Sequence, residues 1–94
     1  MATPLAPALL TLTPRCAAAH RDDASRCEGP RAVVRVIDQH GSEATGCVHH
    51  AAVLYASLVR PRVYPSPGHT GAAIEVYRRA QMLQPFAFQT ATAA

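Results

Sequence analysis

The chain has 94 residues, about half of them hydrophobic, and a formal charge of +3 carried by nine arginines without a single lysine. That length allows one small domain whose buried surface gives only thin net stability. No run approaches the roughly 18 apolar residues that would cross a bilayer, and the apolar start MATPLAPALLTLTPR is broken by Pro4, Pro7 and Pro14 with no basic region ahead of it, a poor signal peptide.

An odd count of three cysteines in a chain without an export signal points to a reducing, cytoplasmic setting, where metal ligation or inert thiols are better readings than disulfides. The Thr-Pro-Arg before Cys16 is not a lipoprotein processing site. The basic balance invites nucleic acid, but 19 alanines with no lysine and no asparagine look like the coding bias of a GC-rich genome. Arg15, Arg21, Arg26, Arg31 and Arg35 are also interleaved with Asp22, Asp23 and Glu28, so that stretch nets only +2. A solvated surface with weak, salt-sensitive binding follows.

Residues 1–14 hold three prolines and no period and read as a flexible segment, residues 85–94 as a loose tail, and the folded domain spans 15–84. Cys16 to Pro30 shows no apolar period and reads as a loop that something must pin, with Asp22 and Asp23 able to begin a turn. AVVRVID (32–38) is the clearest strand. Gln39 to Ser42 supply turn chemistry, and Glu43 to Thr45 return as a second strand to close a β-hairpin. Next, Cys47, His50, Ala51, Leu54 and Leu58 share one helical face, with Thr45 as a cap and Pro61 ending the helix at Arg60. PRVYPSPGHTG is a linker, and Ala72 to Leu83 can form a second helix through Ala73, Val76, Tyr77, Ala80 and Leu83, although Ile74, Val76 and Tyr77 also suit a strand.

Structural zinc sites need four soft or borderline ligands, most simply supplied as two close pairs separated by a hairpin or helix. Cys47 and His50 make one pair. Their i, i+3 spacing puts both on the Leu54 face, and the positive helix N-terminus favours the thiolate a metal requires. His49, about 100° round the helix, would face with Val53, Ala56 and Arg60. Upstream, Cys16 and His20 have a close C-x3-H spacing, while 19 residues intervene between Cys27 and Cys47. Cys16 and Cys27 are favoured, with His20 as the alternative ligand, giving one structural Zn2+ on Cys16, Cys27, Cys47 and His50. Buried packing is the plainer use of such cysteines.

A ligand loop, a β-hairpin and a helix whose first turn bears the last two ligands resembles, over residues 16–60, the treble-clef arrangement of zinc fingers, without that family's close C-x2-C knuckle and following glycine. The predicted elements make a small α+β domain, and the resemblance implies a structural zinc with varied duties, including nucleic-acid binding, protein contacts and enzyme parts. No Ser-His-Asp, Cys-His or paired-carboxylate signature and no phosphate loop stands out, so no enzyme is expected. The expectation is a small zinc-binding interaction or regulatory protein whose partner is a protein or nucleic acid. Arg60, Arg62, Arg78 and Arg79 form one positive edge beside Tyr55, Tyr64 and Tyr77 that can contact nucleic acid. The alternatives are a redox-responsive thiol and zinc switch, or a metal-free small helical protein-interaction domain. Phe86 and Phe88 in the tail are either a core clamp or a docking peptide, with the clamp favoured.

Overall fold

The computed structural model describes residues 15–86, in the order strand, strand, helix, strand, helix. The N-terminal segment 1–14, most of the tail and Phe88 lie outside the described residues. Strand β1 (Val34–Ile37) is three-quarters β-branched and runs through the middle of an antiparallel sheet ordered β2-β1-β3. Strand β2 (Glu43–Gly46) pairs Val34 with Gly46 and Ile37 with Glu43. Between them, the Asp38 carboxylate accepts from the His40 and Ser42 amides at 2.8 and 3.0 Å, and Gly41 takes a φ of 91° that a side chain would resist.

The period of two along β1 sends Val34 and Val36 inward and Arg35 outward. On the open face the Arg35 guanidinium lies 5.4 Å from the Tyr64 ring centroid and 3.2 Å from Glu43. On the closed face, helix α1 (Val48–Ser57) packs over β1 and β2, and helix α2 (Ala72–Ala80) packs over β3 and against α1. Tyr55 and Tyr77 meet edge to face between the helices, with centroids 6.0 Å apart. The result is a two-layer α+β domain with one solvated sheet face.

Three details depart from the sequence expectations. The segment taken as a linker contains strand β3 (Arg62–Pro65), paired Val34 to Pro65 and Ile37 to Arg62. Pro61, Pro65 and Pro67 disguise it, but β3 is an edge strand, where proline is tolerated. Helix α1 ends at Ser57 rather than Arg60: Leu58 is extended and Arg60 sits at φ 52°, turning the chain into register with β1 before Pro61 could act. Residues 72–83 are helix only to Ala80, after which the Met82 and Leu83 amides bond three residues back in a tightened turn.

Valines and alanines dominate the core, with Val33, Val34, Val36, Ala51, Ala52 and Val76 buried at its centre. Among the described residues the largest fully buried side chain is His50, followed by valines and Cys47. Such a core stabilises a domain of this size poorly, and a second cluster of Cys16, Ala18 and Cys47 abuts it. The contact between that cluster and the sheet depends on Gly46. A Cβ there would stand 2.5 Å from the Ala18 Cβ and 3.2 Å from the Cys16 Sγ, and the Ala18 backbone is held close because its amide donates to the Thr45 carbonyl at 3.1 Å. Gly46→Ala is expected to cost about 1–3 kcal/mol, read as a lower midpoint in denaturant melts. An unchanged midpoint would show that the loop moves away at no cost.

Candidate metal centre

Two local structures bring the ligands together. Cys47 is the N-cap of α1, its Sγ accepting from the His50 amide at 3.3 Å, so the cap is Cys47 and not Thr45, which lies in β2. Helical geometry then turns the His50 side chain back over the same end. Opposite, the 16–27 loop is fastened to the edge of β2 by Ala18, turns at Ala19 and Asp23 with amide bonds to the Cys16 and His20 carbonyls, and returns so that the Cys16 amide donates to the Cys27 Sγ at 3.2 Å.

Cys16, Cys27, Cys47 and His50 place one ligand atom each within 4.8 Å of all the others. The His50 Nδ1 lies 3.5 Å from Cys16 Sγ, 3.6 Å from Cys27 Sγ and 3.3 Å from Cys47 Sγ, and the Cys16 and Cys47 sulfurs are 3.9 Å apart. A tetrahedron with zinc-like bonds of about 2.3 Å to sulfur and about 2.0–2.1 Å to nitrogen has edges of about 3.8 Å between sulfurs and about 3.5 Å between sulfur and nitrogen. These four separations therefore match the edges of one tetrahedral site, and the Cys27 sulfur lies within 4.8 Å of the other two. Hydrogen bonding explains them less well, because one imidazole nitrogen has a single lone pair and cannot accept three thiol protons. All three cysteines are free thiols.

The surroundings prepare His50 as a ligand. Its other nitrogen, Nε2, stands 3.1 Å from both the Ser25 carbonyl and the Ser25 hydroxyl, and 3.9 Å from the Asp23 carboxylate. Donation from Nε2 to the two Ser25 oxygens fixes the tautomer that leaves the Nδ1 lone pair facing the sulfurs. Burial, then the neighbouring His49, holds the His50 imidazole below the ordinary histidine value, which favours the neutral ring that a ligand requires. Burial pushes the Cys16 thiol up to about 11 against the pull of the Cys47 backbone. A coordinated cation reverses that preference by taking the place of the proton.

Sequence reasoning missed the polar support. Asp23 is 3% exposed, and its Oδ1 accepts from the Ser25 amide at 2.9 Å and hydroxyl at 2.7 Å. Burial would raise the Asp23 carboxyl, but these bonds, with His50 and His49, outweigh it and hold the group below the usual carboxylate range. His49 meets the same hydroxyl at 2.9 Å through Nε2 and Glu28 at 3.7 Å through Nδ1. Ser25, His49 and Glu28 thus resemble a nucleophile relay, but the polarity is wrong. The single hydroxyl proton goes to Asp23, and Glu28 is paired to Arg79 at 2.8 Å. The only sequence hint of this support was a short polar run, Asp-Ala-Ser, between two candidate ligands.

His20, the alternative ligand, stands outside the cluster. Its Nδ1 accepts from the Asp22 amide at 3.0 Å, and its ring meets Phe86 edge to face with centroids 6.1 Å apart. Phe86 donates its amide to the Ser57 hydroxyl at 2.9 Å, which ties the start of the tail to the end of α1. Of the arginine edge, Arg79 is committed to Glu28 and Glu75, while Arg60, Arg62 and Arg78 are exposed. Tyr64 lies against Arg35 and Tyr55 against Tyr77, so the tyrosines are distributed over two faces. No described helix is long and apolar enough to cross a membrane. No protein-family model matches the chain, and neither a curated protein nor a solved structure is significantly similar to it.

Because Ser25 ties together Asp23, His49 and His50, Ser25→Ala is expected to weaken metal binding by about 10-fold or more while leaving one ion per chain, measured by competition with a chromogenic chelator. Unchanged affinity would mean that the hydroxyl does not orient His50.

Proposed function

We propose that the chain is a small zinc-binding interaction or regulatory protein of treble-clef type, with one structural zinc on Cys16, Cys27, Cys47 and His50. The observation that carries this reading is the set of sulfur and nitrogen separations at His50 Nδ1, which match the edges of a zinc tetrahedron. All four positions are filled by protein, as in structural rather than catalytic sites. The order of ligand loop, hairpin and helix suits the treble clef, and the free thiols suit a reducing compartment such as the cytoplasm.

Charge gives independent support. Three thiolates around one divalent ion leave a net charge of minus one, and a buried charge needs a partner. Arg15, next to Cys16, buries its Nη1 with no hydrogen-bond partner among the described residues, and its positive charge bears on His50. A tris-thiolate ion gives that guanidinium a reason to be there. The small core explains why the metal matters, and the surface left over is the part available to a partner. Nucleic acid is a weaker candidate than protein, since Arg79 is already neutralised by two carboxylates.

Native mass spectrometry of the untagged chain is expected to find one zinc ion, lost on acid denaturation. Structural zinc contributes a binding free energy of about 10–16 kcal/mol, as large as the whole stability of an ordinary domain at about 5–15 kcal/mol. EDTA should therefore unfold the chain, and Cys27→Ser or His50→Ala should leave it metal-poor and unfolded. A metal-free chain with an unchanged melt would refute the zinc.

A further inference from the structure

A pocket of about 230 Å³ opens between the 16–27 loop, β2, α1 and Phe86. Its walls are small and apolar, Ala18, Ala44, Val53 and Leu54 among them, because short side chains on three elements leave the space unfilled. Its polar residues are Asp23, His50, His20 and Ser57. Asp23 is the unusual member. Its Oδ1 is doubly bonded to Ser25, but Oδ2 receives no hydrogen bond among the described residues, its nearest donor being the His50 Nε2 at 3.9 Å. A carboxylate oxygen beside apolar walls gains most from a cationic donor, which makes the stronger, charge-assisted hydrogen bond. The lining contains no arginine and the chain no lysine, so the pocket walls hold no permanent cation for Asp23.

We propose that this pocket binds a small organic amine, its ammonium group donating to Asp23 Oδ2 and its apolar body lying along Ala18, Ala44, Val53 and Leu54. An anion is rejected by Asp23, and a neutral alcohol satisfies the oxygen without meeting its charge. Since His50 forms part of the pocket wall, an occupant sits against a ligand of the metal centre proposed above. The amine site itself rests on Asp23 and the cavity, not on the ion.

The test titrates the full-length, zinc-reconstituted chain with benzylamine, and separately with benzyl alcohol and benzoate, following the amide resonances of Ala18, Asp23, Ala44 and Leu54. The expected result is saturable shifts at these residues, with the amine bound about tenfold tighter than the alcohol and benzoate not bound. Asp23→Asn should reduce the amine to the level of the alcohol. Ala44→Leu, which fills the cavity without touching the polar network, should weaken both probes, and it decides the matter together with the amine-to-alcohol ratio should Asp23→Asn not fold. Equal binding of amine and alcohol, full amine affinity in Asp23→Asn, or no saturable shift would overturn the proposal. Proximity signals from Phe88 to Ala44 or Leu54 without amine binding would overturn it too, assigning the pocket to the chain's own C-terminal segment. Zinc content measured on each sample separates the two readings: a zinc-loaded chain that ignores the amine sinks only the pocket, and a metal-free chain that binds it sinks only the zinc.

Discussion

Three sulfurs share one imidazole nitrogen as their common neighbour, and this crowding governs the rest of the molecule. Neutral thiols gain little from such an arrangement, and buried thiolates repel one another. A cation at the centre would turn that repulsion into attraction. The elements near the cluster are arranged around that demand: amides from Cys16 and His50 point at sulfur, Ser25 fixes the imidazole, and Gly46 lets the Cys16 loop lie flat on the sheet edge.

The same demand explains how a loop without helix or strand keeps a fixed shape. Between Cys16 and Cys27 the chain has few apolar groups to bury, yet Asp23 is almost fully enclosed. Its carboxylate organises Ser25, and Ser25 in turn meets both histidines of α1. The loop is therefore held through polar bonds and ligand positions, while the valines of β1 and the alanines of α1 hold the other half of the domain.

Much of this was legible in the sequence. The valine-rich run, its Gly41 turn and the i, i+3 pair of Cys47 and His50 gave the hairpin, the first helix and half the site, because each rests on short-range periodicity or spacing. The third strand was not legible, since its pairing with β1 is long-range and its prolines, acceptable only at an edge, read locally as a linker. The end of α1 was misplaced for the same reason: the register with β1, not Pro61, sets where the helix stops. Cys27 was preferred to His20 on ligand chemistry, and the fold puts Cys27 with the cluster and His20 beside Phe86. Asp23, Ser25 and Gly46 were invisible as site residues because their importance arises only when the loop folds back on α1.

The double role of Cys47, cap and ligand at once, bears on how the chain reaches its folded state. The first turn of a helix is the costly step, fixing several backbone angles for a single hydrogen bond. An ion gripped by Cys47 and His50 would span that one turn and hold it closed, so that metal capture and helix nucleation would become the same event. Residues 47–57 would then be primed as a unit before the distant Cys16 and Cys27 arrive, leaving the slower loop closure to the 16–27 segment.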